Sequence, residues 1–332
     1  MPELPDISIY VDAVAERTVG HAFEKLRLAS PFFLRSFAPP AKDFEGARVV
    51  AVSRLGKRVV IELEGQRYFV IHLMVAGRFR WADRGAKIPG KLGQAALDFD
   101  SGTLIVTEAS SKKRASLHLA AGAGALADFD RGGLEVLSAT REDFVRAMTA
   151  EVHTLKRSLT DPTILSGIGN AYSDEILFEA RLGPLKLTSA LTDEEWTRLY
   201  EAIRTVLVGW TDRLKQDYAG VFPEGVTAFR EGMAVHGRYG KPCPRCGPRV
   251  QRITYADNET NYCATCQTGG KLLADRSLSR LLGKDWPKTL EELEERRPAA
   301  KLAPNPARST RVPKKKAEPK PKAPDQPGRG TR

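Results

Sequence analysis

The chain has 332 residues, 42% of them hydrophobic, with 13 Phe and 4 Trp, which is enough for sizeable cores and, by length, for two or more domains. No run of 18 apolar residues occurs and the start lacks the basic-then-apolar pattern of a secretory signal, so no transmembrane helix and a cytoplasmic location are expected. Of the net charge of +11, residues 296–332 supply most, with 12 Lys or Arg against Glu318 and Asp325, leaving +1 for residues 1–295.

The first six residues, Met1-Pro2-Glu3-Leu4-Pro5-Asp6, carry a chemical option. Once Met1 is removed, Pro2 bears a secondary amine that titrates near pH ~8 and attacks a sugar aldehyde as the free base. The resulting iminium has no N–H to lose, stays cationic and promotes elimination of a phosphate leaving group. Glu3, one residue on, is placed to shuttle protons. The plainer alternative is a small second residue ahead of a helix. Leu4–Val19 reads as that helix, with Ile7, Tyr10, Val11 and Val14 on one stripe and Gly20 as its stop. Its positive end lowers the amine's pKa slightly.

From Lys25 to about Ala120 short β-branched runs take over: Val49–Leu55, Arg58–Leu63, Tyr68–Leu73, Gly77–Trp81, Ala96–Asp100 and Leu104–Thr107. Hairpin signals at Glu64-Gly65 and Asp100-Ser101-Gly102 point to an antiparallel sandwich or flattened barrel. Lys57 falls in the turn between two of these strands, free either to reach a cleft or to sit in solvent.

Thr140 to about Tyr218 reads as helical. Thr192–Glu195 is a capping box followed by Trp196, Leu199, Ile203, Val206, Leu207, Trp210 and Leu214 at core spacing. Gly167 and Gly169 permit a tight turn from which Asn170 opens a helix to about Ala180, and N–H groups at such a start bind phosphate. Cys243, Cys246, Cys263 and Cys266, all the cysteines of the chain, form two knuckles suited to one tetrahedral, structural Zn²⁺. Tyr255, Tyr262, Arg245, Arg249 and Arg252 make that finger a candidate nucleic-acid contact.

Together, MPELPD, LGKRVVIEL, HLMVAGRFRW, GIGNAYSDEILFEARLGP and VHGRYGKPCPRCG…NYCATCQ resemble the formamidopyrimidine-DNA glycosylase and endonuclease VIII family over about residues 2–267. The resemblance implies an α+β multidomain fold: an N-terminal helix plus antiparallel β-sandwich over 2–125, a helix-two-turn-helix domain over 140–225 and a four-cysteine zinc finger over 236–267. A helical extension over 268–297 and a disordered basic tail over 298–332 complete the reading. It implies a monomeric, nucleoid-associated base-excision repair glycosylase and abasic-site lyase whose partner is DNA containing damaged bases or abasic sites. Pro2 becomes the nucleophile at sugar C1′, Glu3 the acid/base, Lys57 and Asn170 phosphate ligands and Asp6 a supporting carboxylate. Gly167, Gly169, Tyr172, Met74, Arg114 and Arg252 become further DNA contacts.

Three departures bear on substrate. Asp6 stands where relatives usually carry Glu, Asn258 where the finger usually presents an arginine, and Ala115 where many carry the aromatic of an Arg-Arg-Phe wedge. Met74 or Val75 is left to fill the void of an extruded base, and Arg252 or Lys271 to replace the finger arginine. Abasic sites, ring-opened purines, oxidised pyrimidines and lesions in single strands, bubbles or forks are therefore the expected substrates. The alternative is a non-catalytic DNA-damage binding protein on the same fold, against which the Pro2-Glu3 pair argues. After the finger, Leu272, Leu273, Leu278, Leu281 and Leu282 read as one apolar pattern, broken by Trp286-Pro287, that packs on the finger or the helical domain.

Overall fold

Behind Glu3 the chain enters α1, Leu4–Thr18, where Ile7, Tyr10 and Val14 recur at helical spacing and are all buried. The computed structural model describes residues 1–227, 230–255, 258–273 and 280–296. Eight antiparallel strands follow: β1 Phe23–Leu28, β2 Val49–Leu55, β3 Arg58–Leu63, β4 Arg67–His72, β5 Gly77–Ala82, β6 Gly93–Phe99, β7 Gly102–Glu108 and β8 Ser116–Ala121. They form two four-stranded sheets, ordered β1-β6-β7-β5 and β2-β3-β4-β8, so the sandwich is the correct reading. The inner faces, among them Val59, Ile61, Phe69 and Ile71 against Phe79, Leu97 and Val106, close one core with α1.

β2 and β3 match the sequence reading residue for residue, and both expected hairpin turns are present. β1 and β8 escaped it because both are sheet edges. β1 has three charged residues in six, with Arg27 held by Asp98 at 2.6 Å. β8 is rich in Ser and Ala, which have weak strand preference.

The helical region contains α2 Arg141–Thr149, α3 Leu155–Thr160, α4 Asn170–Glu179 and α5 Asp193–Asp217. Thr192 and Glu195 form the expected capping box on α5. Trp196, Leu199, Ile203 and Leu207 enter a second core, Val206 and Trp210 only its margin, and Leu214 reaches across into the sandwich core. In return α1 contributes Leu4 to the helical core. The two layers thus exchange side chains as well as touching.

The finger region pairs β9 Gln251–Tyr255 with β10 Asn258–Tyr262, followed by α6 Ala264–Thr268. Leu272, Leu273, Leu290 and Leu293 pack behind it on Ile253 and Tyr262, and α7 Leu290–Glu295 runs along this contact. Leu281 and Leu282 do not continue that face, being 79% and 41% exposed. Past Trp286-Pro287 the chain turns back so that Thr289 bridges to Lys271, and Leu290 and Leu293 meet the finger. Leu278 and the basic tail over 298–332 lie outside the described residues. No described helix is long and apolar enough to cross a membrane.

Candidate active site and metal centre

The site begins with a backbone constraint. Asp6, completely buried, accepts the Glu3 N–H at 2.8 Å through Oδ2 and pairs with Arg230 through Oδ1, fixing the extended turn that leads into α1. Although shorter by one methylene than the residue usual at this position, Asp6 still reaches the Glu3 backbone. Leu4 N–H then donates to Gly167 O at 2.9 Å. Gly167 has φ +85°, and a Cβ there would press on Leu4 at 3.0 Å, so glycine is required on both counts.

These contacts bring Glu3 to the start of α4. Its carboxylate accepts from Gly169 N at 2.7 Å, Ala171 N at 2.9 Å and Tyr172 N at 3.2 Å. In this structure the N–H groups expected to bind phosphate are taken by Glu3. A carboxylate tethered in place, buried and aligned with the helix dipole, holds the donors that a phosphate would need. Gly169 provides the room: a Cβ would fall 2.6 Å from the Glu3 carboxyl carbon and 2.9 Å from Lys57 Nζ. Lys57, on the β2–β3 turn, therefore converges on Glu3, and burial pushes its ammonium pKa down while Glu3 raises it.

Pro2 is buried beside this pair. With Met1 in place, as in this structure, its nitrogen is an amide and unreactive. Burial pushes the terminal amine, carried by Met1, below its ordinary value, with Glu3 opposing. A cavity of about 240 Å³ opens here, lined by Met1, Lys57, Arg58, His72, Arg131 and Gly167 among others.

The remaining expected contacts divide. Asn170 Nδ2 donates to Glu259 O at 2.9 Å, tying α4 to the finger hairpin. Tyr172 is 0% exposed with its hydroxyl unpartnered, so it is a core residue and not a DNA contact; two positions beyond Asn170, the helix has turned it inward. Arg252 lies over the Tyr239 ring at 4.2 Å with Glu259 3.3 Å away, and Asn258 is exposed at the head of β10. Met74 sits at φ +53° in the β4–β5 turn with Val75 59% exposed beside it. Arg114 is exposed, while Ala115 is buried with its N–H on Glu108 at 3.0 Å, facing inward rather than toward a void.

Sequence reasoning missed Arg230 and the acids of α4. Asp174 accepts from Lys156 at 2.5 Å, meets His236 Nδ1 at 2.8 Å and accepts Asn261 N at 3.1 Å, while Glu175 caps the N–H groups of Ala234, Val235 and His236. The available signal was two adjacent acids in an otherwise apolar helix, which need partners once buried. Nearby, Arg54 and Ser166 both bond Glu135.

In the finger, the four Sγ atoms lie within 4.8 Å of one another, with Cys246–Cys263 at 3.4 Å and Cys243–Cys266 at 4.0 Å. A tetrahedron with Zn–S of about 2.3 Å has edges of about 3.8 Å, so the donors fit such an ion. With four cysteine sulfurs as its donors, a tetrahedral ion held here would have no position open for chemistry.

Three family models match the chain: the formamidopyrimidine-DNA glycosylase N-terminal domain over residues 1–113, its H2TH domain over 134–211, and the zinc finger found in FPG and IleRS over 240–269. A formamidopyrimidine-DNA glycosylase of Heliobacterium modesticaldum is 34% identical over 279 residues, 80% of this chain and all of that one. The crystal structure of MutM (FPG) from Thermus thermophilus overlaps with a TM-score of 0.68 at 32% identity, covering 80% of this chain and 98% of that one. A complex of Lactococcus lactis Fpg with DNA containing an abasic site overlaps at 0.71 and 25% identity, covering 80% and 99%.

Asp6 yields a pH prediction. Burial pushes its carboxyl up to about 6, outweighing Arg230 and the Glu3 N–H. The folded state therefore binds this proton more tightly than the unfolded chain, whose ordinary value is 3.8, and stability from this group falls as pH rises from about 4 to about 6. Relative to Asp6→Asn, the wild type should lose ~1–3 kcal/mol between pH 4 and pH 7 in urea titrations. An unchanged difference across that range would refute the shift.

Proposed function

This chain belongs to the formamidopyrimidine-DNA glycosylase family, and from that premise we propose that Pro2, freed by removal of Met1, is the nucleophile of a base-excision repair glycosylase and abasic-site lyase. The convergence of Glu3 and Lys57 beside a buried Pro2 carries this assignment. Pro2 nitrogen attacks C1′ as the bond from C1′ to the damaged base breaks, and the base leaves with its electron pair and takes a proton. Loss of the nitrogen proton and opening of the sugar give the iminium, whose cation acidifies C2′–H. Proton loss at C2′ expels the 3′ phosphate, and proton loss at C4′ then expels the 5′ phosphate. Glu3 is the group that moves protons at the leaving base and the ring oxygen. Lys57 supplies positive charge and a donor to the phosphate that leaves.

DNA containing damaged bases or abasic sites is the partner, bound by a monomer acting in the cytoplasm on the nucleoid. The H2TH region and the finger grip the duplex beside the cavity. Gly167 and Gly169 serve this indirectly by admitting Glu3, and Asn170 by joining α4 to the finger. Met74, Val75 and Arg114 supply what wedge there is. One Zn²⁺ held by Cys243, Cys246, Cys263 and Cys266 gives the finger its folding energy. Residues 2–125, 140–225 and 236–267 act as the sandwich, helical and finger domains.

Two experiments test this. Borohydride should lock the protein onto abasic DNA, and Pro2→Gly or any form retaining a residue before Pro2 should trap at least ~100-fold less. Gly169→Ala, whose Cβ would strike Glu3 and Lys57, should also trap poorly while keeping its circular dichroism. Full trapping by the blocked form would point instead to an internal lysine. Separately, chelating the metal or replacing Cys263 with Ser should unfold the finger and abolish DNA binding together. Full affinity without metal would mean that the cysteines serve another purpose.

A further inference from the structure

The outer face of the sheet β2-β3-β4-β8 carries a row of basic and imidazole side chains partly covered by Phe129, whose carbonyl accepts from Arg58 at 3.0 Å and whose ring meets His118 edge-on at 5.1 Å. Arg58 stands opposite His72 in register, and His118 lies diagonally across from His72 through the His72–Ser116 pair. Lys57 precedes Arg58 in the turn. Arg131 lies close enough to Arg58, and Arg35 close enough to His118, to lower their pKa values alongside burial. His72 is pushed down to about 4 by burial and by Arg58, so at neutral pH it donates as an uncharged imidazole. The row crosses three strand spacings, roughly 15 Å, starting from the cavity beside Met1.

It ends at the segment Pro31–Phe37, which lies along the edge strand β8. Leu34 bridges to Leu117, Arg35 N–H donates to Leu117 O at 2.9 Å, and Leu119 N–H donates to Ser36 Oγ at 2.8 Å. Phe33 is buried in the sandwich core and anchors the segment. This fixed backbone leaves Phe32 74% exposed and Phe37 fully exposed, on either side of the exposed Arg35. Two large aromatics held open beside cations suit a ligand with flat apolar faces and a negatively charged backbone. Intact duplex hides its base faces, whereas unpaired nucleotides offer them.

We propose that Phe32 and Phe37 form a stacking platform for unpaired bases of the strand that leaves the cavity and passes Arg35. The proposal rests on that cavity being the active site. It gives this chain a means of holding locally opened DNA in place of the missing aromatic wedge.

The test uses the full chain and oligonucleotides carrying a stable abasic analogue as single strand, bubble and duplex. Phe32→Ala/Phe37→Ala should weaken single-strand and bubble binding at least about tenfold, with little change on duplex and undiminished borohydride trapping on abasic duplex. Phe32→Tyr/Phe37→Tyr should restore binding, and Arg35→Ala should reduce its salt dependence. Equal effects on all three substrates, or none, would overturn the platform. So would unchanged single-strand binding with loss of self-association in sedimentation velocity, which would make the patch a protein interface. Absence of trapping in the wild type would remove the Pro2 assignment alone, because the binding comparison stands without turnover.

Discussion

The seating of the Glu3 carboxylate on the N-terminus of α4 is the contact on which the rest of the site depends. Three N–H donors at 2.7 to 3.2 Å meet one buried acid, and charge-assisted bonds of this kind are each worth about 1.5–3 kcal/mol. The contact spans 166 to 169 residues of sequence and draws the chain start into the seam between the sandwich and helical cores. Everything around it serves that placement. Asp6 fixes the entry turn, Gly167 accepts the Leu4 N–H, and Gly169 leaves a hollow into which Lys57 and Glu3 both lean. α1 and α5 strengthen the seam by lending Leu4 and Leu214 to the opposite cores.

Much of this architecture is written locally. The stripe of α1, the capping box of α5, the hairpins and the paired cysteine knuckles are short-range patterns, and each appears where its spacing places it. What escaped local reading is long-range. No spacing rule connects Glu3 to residues 169–172, so the Gly-x-Gly-Asn turn resembled a phosphate cradle when its donors serve an internal anion. Tyr172 resembled a contact residue for the same reason, since its neighbours Gly169 and Ala171 hold Glu3 while its own side chain points into the core. The edge strands β1 and β8 were hidden by charge and by small residues, features that keep sheet edges from pairing with other chains.

The departures from the family pattern are absorbed unevenly. Asp6 keeps the hydrogen bond that its position demands. Ala115 does not replace a wedge, because Glu108 binds its N–H and turns it inward. Arg252 is drawn into stacking on Tyr239 and toward Glu259. The geometry around Glu3 and Lys57 is thus kept, while the position where the resemblance expects an aromatic holds a buried alanine.

α4 has a consequence of its own. All eight residues from Ala171 to Phe178 are buried, including Ser173, Asp174 and Glu175, so the helix has no wet side along that length. One end receives the chain terminus, the acids in its middle grip the segment before the finger, and its apolar positions pack on α5. An ordinary surface helix drifts in sequence on its solvent face without harm. This one has no neutral face, and random mutagenesis should leave it as a gap in the map of tolerated substitutions, flanked by the far more permissive exposed positions of α5.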